Sequence, residues 1–122
     1  MPAQSSPPRS ILVVEDDRTA REALVHLLGH LGYHPMGAAT VAGGLALLDG
    51  QVCAILDLNL PDGYGTTILQ RIRAENRAIR VAVTTGTTDD DLLTEAMVSG
   101  PDILLRKPLD VNALMAWLEA AG

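Results

Sequence analysis

The chain is poor in aromatic residues and cysteine, lacks long apolar runs and has few basic residues, and each shortage excludes something. It has no Phe, one Trp and two Tyr, so its core must consist of Leu, Val, Ile and Ala. The single cysteine, Cys53, rules out an internal disulfide, and no apolar run approaches the roughly 20 residues of a membrane-spanning helix. Nine basic against fifteen acidic residues give a net charge of −6, which argues against nucleic-acid or membrane binding by this domain. The sequence predicts a cytoplasmic domain whose partners are proteins or cations.

The length of the chain and the composition of its two ends limit the number and extent of its domains. A chain of 122 residues is long enough for one domain and leaves no room for a second. The first ten residues contain three prolines and three serines without an apolar segment, so residues 1–9 are predicted to be a flexible tail and residues 10–122 the folded domain. Since the last predicted helix ends close to Gly122, we expect no attached output domain: the chain acts alone or was cut from a longer protein.

Strands and helices are predicted to alternate along the chain. Apolar runs predict strands at Ile11–Val14, Tyr33–Gly37, Val52–Leu56, Val81–Thr84 and Ile103–Leu105. Helical spacing and capping residues predict helices at Thr19–Leu31, Val41–Leu48, Thr66–Ala74, Asp89–Ser99 and from Asp110 to Ala121, with Asp17, Thr40 and Asp110 as caps. This alternation favours an α/β fold with a parallel sheet and right-handed crossovers.

Polar groups follow four of these strands. They are Glu15-Asp16, Asp57, Thr84-Thr85 and Arg106-Lys107, and Lys107 is the only lysine in the chain. Because the carboxyl ends of parallel strands meet at one edge of a sheet, these groups are expected to form one site.

These residues resemble the receiver domains of bacterial two-component response regulators, and the resemblance covers nearly the whole folded chain. It rests on Glu15-Asp16-Asp17 after the first strand, Asp57-Leu58-Asn59-Leu60-Pro61 with Gly65 four residues after the proline, Val83-Thr84-Thr85-Gly86, and Lys107-Pro108. The resemblance implies a flavodoxin-like (βα)5 sandwich with a parallel five-stranded sheet of order 2-1-3-4-5.

The resemblance also implies a chemistry. Asp57 would be the phosphoacceptor for a sensor histidine kinase or a phosphotransfer protein. Mg²⁺ would be held by Glu15, Asp16, Asp57 and the backbone carbonyl of Asn59, with Asp16 as a direct ligand and Glu15 acting partly through water. Lys107 would stabilise the phosphoryl oxygens as a point charge. Such a protein is a phosphoacceptor and not an enzyme in its own right.

The switching residues follow the family less closely. Thr85 matches the family's switch hydroxyl because it lies 22 residues before Lys107, and Thr84 is then expected to point elsewhere. Phosphorylation would pull the loop after Thr85 inward and change the surface presented to a downstream target or a lost output domain. Leu104 replaces the aromatic residue usual in the last strand, and Gly100-Pro101 replaces Gly-Ala, so coupling is either altered or carried by the loop alone.

Two alternatives stay open at this point. The first is a pseudo-receiver, a binding module in which Leu104 reflects lost switching. The second is a phosphatase of the haloacid dehalogenase type, which also uses an aspartate, a threonine and a lysine at strand ends. That class needs a second aspartate two residues after the nucleophile, where this chain has Asn59.

Overall fold

A computed structural model describes residues 9–120 of the chain. The strands are β1 Ser10–Val14, β2 His34–Ala38, β3 Cys53–Asp57, β4 Asn59–Leu60, β5 Gly63–Tyr64, β6 Arg80–Thr85 and β7 Ile103–Arg106. The helices are α1 Arg18–His30, α2 Val41–Ala46, α3 Gly65–Ala74, α4 Asp90–Val98 and α5 Val111–Ala120. The predicted tail, residues 1–9, lies outside the described residues except for Arg9, as does Ala121 at the end of the last predicted helix.

The main sheet is parallel throughout and, within residues 9–120, has five strands in the order β2-β1-β3-β6-β7. This is the order 2-1-3-4-5 once the two-residue strands β4 and β5, which form a separate antiparallel hairpin, are left out. The predicted fold class is therefore confirmed.

Each face of the sheet carries its own apolar cluster, as expected when parallel strands are buried on both sides. One cluster joins alternate strand residues such as Leu12, Leu56 and Val83 to Ile68 and Ile72 of α3. The other joins the intervening strand residues to Leu28 of α1 and to Leu114 and Leu118 of α5. Leu, Ile, Val and Ala fill both clusters almost entirely, as the aromatic-poor composition predicted. Cys53 lies within the second cluster, 4% exposed, and burial raises the pKa of its thiol to about 11.

The predicted helix boundaries are close to the observed ones because most of the predicted caps form. The carboxylate of Asp17 accepts a hydrogen bond from Ala20 N at 2.8 Å, and Thr40 Oγ1 accepts one from Gly43 N at 2.9 Å. Asp110 Oδ1 accepts one from Ala113 N at 3.1 Å. The second helix ends at Ala46, two residues earlier than predicted, and the β4–β5 hairpin was not predicted. In the described part of the chain, no helix is long and apolar enough to cross a membrane.

Candidate functional site

Strand register brings the predicted site residues to one edge of the sheet. Val14 pairs with Leu56, Asp57 pairs with Thr84, and Thr85 pairs with Arg106. Glu15 and Asp57 therefore lie at the ends of the neighbouring strands β1 and β3, and Lys107 follows β7 at the same level, with β6 between β3 and β7. Lys107, which lies 92 residues after Glu15 in sequence, contacts both Glu15 and Asp57, so these three residues converge as the strand ends predicted, whereas Arg106 lines a separate groove beside Leu93 and Leu104.

Three carboxyl groups converge at this edge. Glu15, Asp16 and Asp57 each place one oxygen within 4.8 Å of the others. Glu15 and Asp57 are buried, at 8% and 6% exposure, whereas Asp16 is exposed. A cluster of carboxylate oxygens open to water on one side matches the ligand preference of Mg²⁺, which keeps several of its own waters. The donor set therefore fits a magnesium ion.

Lys107 connects the two buried carboxyl groups. Its Nζ donates to Glu15 Oε1 at 2.7 Å and to Asp57 Oδ2 at 3.2 Å. The backbone N–H of Asp17 donates to the other Glu15 oxygen at 3.2 Å, and Arg21 Nη1 donates to the Glu15 carbonyl oxygen at 2.9 Å. These contacts fix the Glu15 carboxylate and direct the lysine ammonium towards Asp57.

Burial and mutual repulsion separate the pKa values of the two carboxyl groups. Burial, together with hydrogen bonding to Glu15 and repulsion by its charge, raises the pKa of Asp57 to about 7, although Lys107 opposes the rise. Burial would also raise the pKa of Glu15, but hydrogen bonding with Asp57, Lys107 and the Asp17 N–H outweighs it and lowers that pKa. Burial acts to lower the pKa of Lys107, yet its two carboxylate partners raise it. Without a metal ion, Asp57 is thus the carboxyl group that holds a proton most readily.

Backbone hydrogen bonds hold the site residues in place. Leu58 N donates to Thr84 O at 2.8 Å, and Lys107 N donates to Thr85 O at 2.8 Å, which extends the ladder past the strand ends. Gly65 N donates to Leu58 O at 2.9 Å at the start of α3. A Cβ atom at Gly65 would collide with the carbonyl oxygen of Asp57, so the close approach of α3 to the site requires glycine there.

The two threonines occupy different places at this edge. Thr84 lines a cavity together with Glu15 and Lys107, and as the register partner of Asp57 it shares that residue's face of the sheet. Thr85 is 1% exposed, and its Oγ1 accepts a hydrogen bond from Thr87 N at 3.0 Å. Asn59 is exposed at the start of the β4–β5 hairpin, two residues after Asp57 at the end of β3.

Two supporting residues were not singled out from the sequence. Arg21 holds the Glu15 carbonyl from α1, and Asp62, at the tip of the hairpin, accepts from Val41 N at 2.7 Å and Ala42 N at 3.1 Å. The Asp62 contacts join segments about 20 residues apart, and the Arg21 contact depends on how α1 packs beside the end of β1, so helix and strand patterns gave no signal for either.

The fold and the edge site define a doubly wound α/β protein with a carboxylate nucleophile candidate beside one lysine. The family model for the response regulator receiver domain matches residues 11–119. The chain is 30% identical over 115 residues to the photosynthetic apparatus regulatory protein RegA of Rhodovulum sulfidophilum, covering 93% of this chain and 63% of that protein. It is 34% identical over 113 residues to the transcriptional regulatory protein FixJ of Azorhizobium caulinodans, covering 89% and 53%.

Solved structures agree with the sequence relatives. A receiver domain protein (CheY-like) from Methanospirillum hungatei JF-1 superposes with a TM-score of 0.85 at 25% identity, covering 93% of both chains. The signal receiver domain of an HD domain-containing protein from Pseudomonas fluorescens Pf-5 gives a TM-score of 0.87 at 28% identity, covering 98% of this chain and 90% of that one. The chain belongs to the response regulator receiver domain family. It spans only 63% and 53% of the lengths of the two curated relatives named above.

Proposed function

We propose that Asp57 accepts a phosphoryl group from the phosphohistidine of a sensor histidine kinase or a phosphotransfer protein, in a Mg²⁺-dependent reaction. The observation that carries the proposal is the arrangement of Asp57, which is buried beside Glu15 and hydrogen-bonded to Lys107. Phosphorylation would then switch the protein's interactions with a downstream partner.

In the proposed reaction, an oxygen of the Asp57 carboxylate forms a bond to phosphorus and the bond from phosphorus to the imidazole nitrogen of the donor breaks. The electron pair of the broken bond stays on that nitrogen. The result is an acyl phosphate on Asp57. Lys107 lies 3.2 Å from Asp57 Oδ2 and contributes a fixed positive charge next to the phosphoryl oxygens.

The three carboxyl groups and the exposed Asn59 segment would hold the metal. Glu15, Asp16 and Asp57 would be the carboxylate ligands, with Glu15 acting partly through water, and the Asn59 carbonyl would be the neutral ligand. Bound there, Mg²⁺ supplies charge neutralisation for the phosphoryl oxygens and the carboxylates. Glu15 would also hold Lys107 in place, because its Oε1 accepts a hydrogen bond from Lys107 Nζ at 2.7 Å. Thr85 would donate its hydroxyl to a phosphoryl oxygen after transfer.

The partners follow from the family and the names of the relatives. RegA and FixJ are named as regulatory proteins, FixJ as a transcriptional one. Since this chain corresponds to 63% and 53% of their lengths, the output that it controls is part of the proposal: a downstream protein target or an output domain, in the cytoplasm. The phosphoryl donor would bind near the carboxyl edge of the sheet, where Asp57 lies.

Intact mass after incubation with acetyl phosphate tests this function. We expect one added phosphoryl group that requires both Mg²⁺ and Asp57, so Asp57→Asn stays unmodified. Asp49→Asn is the matched control, because the Asp49 side chain is 94% exposed and pairs with Arg77 away from the site. No adduct on the wild-type protein would contradict the proposal and favour a pseudo-receiver. Turnover of a generic phosphomonoester would favour a phosphatase.

A further inference from the structure

A cavity of about 500 Å³ lies on the face of the sheet that α1 and α5 cover. Its walls are mainly aliphatic: Ala20, Ala23, Leu24 and Leu27 of α1, and Leu109 and Val111 near the start of α5. Small-molecule sites commonly have volumes of about 300–1,000 Å³ and mostly apolar linings. The cavity therefore has the size and the lining of a ligand site.

The composition of the chain explains why the cavity is open. The sequence has no Phe, and its one Trp, Trp117, packs elsewhere, with its ring 4.1 Å from the guanidinium carbon of Arg80. Alanine stands at positions 20 and 23, where α1 faces the space. Among the described residues, these two small side chains leave the space open beside the leucine side chains that also line it. Val111, 43% exposed, marks an apolar rim that solvent reaches.

One end of the cavity is polar and negatively charged. Glu15, Asp17, Thr84 and Lys107 line it, and Asp16 and Asp57 adjoin Glu15. The cations in contact with this group are Lys107, bound to Glu15 and Asp57, and Arg21, bound to the Glu15 carbonyl. The charged side chains that line the cavity itself are two carboxyl groups, Glu15 and Asp17, and one cation, Lys107, and this excess of carboxylate favours a positively charged ligand group at this end.

We propose that the cavity binds a small amphipathic cation, a primary alkylamine, with its chain between α1 and α5 and its ammonium group at the Glu15 end. The ammonium provides N–H donors to carboxylate oxygens, and the chain covers the leucine and alanine side chains. Binding of the chain is independent of the proposed phosphorylation. The position of the head group rests on the proposed metal site, because the ammonium and Mg²⁺ would share carboxylates.

Titration of the full chain with n-alkylamines from butylamine to octylamine, followed by calorimetry, tests the apolar half of the proposal. Each buried methylene is expected to tighten the dissociation constant about fourfold. Octanol and octanoate are the matched probes of the head group, and the expected order of affinity is octylamine, then octanol, then octanoate. An affinity that does not change with chain length, or octanoate binding tighter than octylamine, would overturn the proposal.

A cavity-filling variant locates the site. Ala23→Phe places a ring in the space, and we expect it to weaken octylamine binding at least about tenfold, since the ring occupies the volume of several methylenes. Ala116→Phe is the matched control, because Ala116 is exposed on α5 and outside the cavity wall; its affinity should equal that of the wild type. Circular dichroism and melting confirm that both variants fold. Unchanged binding to a folded Ala23→Phe would refute the location.

Competition with Mg²⁺ provides a measurement on the unmodified protein. Saturating Mg²⁺ should weaken octylamine binding and leave octanol binding nearly unchanged, because only the amine needs the carboxylates. Equal effects on the two ligands would overturn the head-group position. These titrations need no phosphoryl transfer, so a protein that failed to react with acetyl phosphate would still test the cavity.

Discussion

At the scale of single residues, Asp57 combines two opposing requirements. It is 6% exposed and lies beside Glu15, and burial together with hydrogen bonding to Glu15 and repulsion by its charge raises the pKa of Asp57 from 3.8 to about 7. Its hydrogen bond with Lys107 favours the charged form and opposes this rise. In the metal-free protein, ionisation of Asp57 therefore costs more in the folded state than in the unfolded state. The contribution of the neutral carboxyl to stability is complete below pH 3.8 and is lost as the pH rises through about 7.

We therefore predict that Asp57→Asn stabilises the metal-free protein increasingly with pH. Asparagine does not ionise, so the free energy of unfolding of the variant should exceed that of the wild type by a margin that grows by on the order of 2 kcal/mol between about pH 5 and pH 8, given about 1.4 kcal/mol per pKa unit. Urea denaturation in the presence of a chelator measures these free energies. The lowered pKa of Glu15 changes the stability only below about pH 4.5, and the raised pKa of Lys107 changes it only above about pH 10.5. Neither group therefore contributes to the pH dependence of stability between about pH 5 and pH 8.

The control for this prediction is Asp49→Asn, whose side chain is 94% exposed. Its stability difference from the wild type should not change over the same pH range. Adding Mg²⁺ should reverse the order for Asp57, because metal binding requires the ionised carboxylate. A stability difference for Asp57→Asn that is the same at every pH would mean that the site does not suppress ionisation of Asp57.

At the scale of secondary-structure elements, α2 depends on contacts from outside its own sequence. It spans only Val41–Ala46 and includes Gly43 and Gly44, which weaken a helix. Glycine is needed at position 44 because a Cβ would lie 2.7 Å from Ile68 Cδ1 and 2.9 Å from Val14 Cγ2. Asp62 compensates by accepting from the first two N–H groups of the helix. The hairpin next to Asp57 is thereby tied to α2.

We predict that Asp62→Ala loosens both elements. Loss of two hydrogen bonds should lower the melting temperature and speed amide exchange at Val41 and Ala42, while Asp62→Asn, which keeps one acceptor oxygen, should fall between. The hydrogen bonds from Val41 and Ala42 lower the pKa of Asp62, so its contribution is present above 3.8 and is lost as the pH falls through the lowered value. Unchanged exchange at these amides in Asp62→Ala would show that the cap does not hold α2.

The sequence predicted the features that local patterns encode and missed those that depend on tertiary packing. Buried parallel strands are continuous apolar runs, so Ile11–Val14 and Val81–Thr84 were recognisable locally, and Asp17 and Thr40 marked helix starts. The convergence of Glu15, Asp57 and Lys107 followed from the rule that strand ends meet at one edge. Contacts of Asp62 with α2 and of Arg21 with Glu15 depend on how loops and helices pack, which no local pattern encodes.

At the scale of the whole molecule, a series of hydrogen bonds connects the site to α4. Thr85 Oγ1 accepts from Thr87 N at 3.0 Å, and Thr87 Oγ1 accepts from Asp89 N at 3.1 Å. Asp89 in turn caps α4 by accepting from Leu92 N at 3.3 Å. Since Leu104 offers no aromatic ring that could report on Thr85, we infer that a movement of the hydroxyl would reach the helix through this loop.

We predict that phosphorylation changes amide exchange in α4 only when residue 85 carries a hydroxyl. If the Thr85 hydroxyl turns to a phosphoryl oxygen, Thr87 N loses its acceptor, and the start of α4 must rearrange. In the wild type and in Thr85→Ser, phosphorylation by acetyl phosphate should change the hydrogen-exchange rates of Leu92 and neighbouring amides by roughly five- to tenfold, which is the low end of the range for allosteric coupling. In Thr85→Val the change should vanish although mass spectrometry shows Asp57 modified.

Amides of β2, at the opposite edge of the sheet, are the internal reference. An equal response of α4 in Thr85→Val would place the coupling outside this loop, in the packing of α4 against β7.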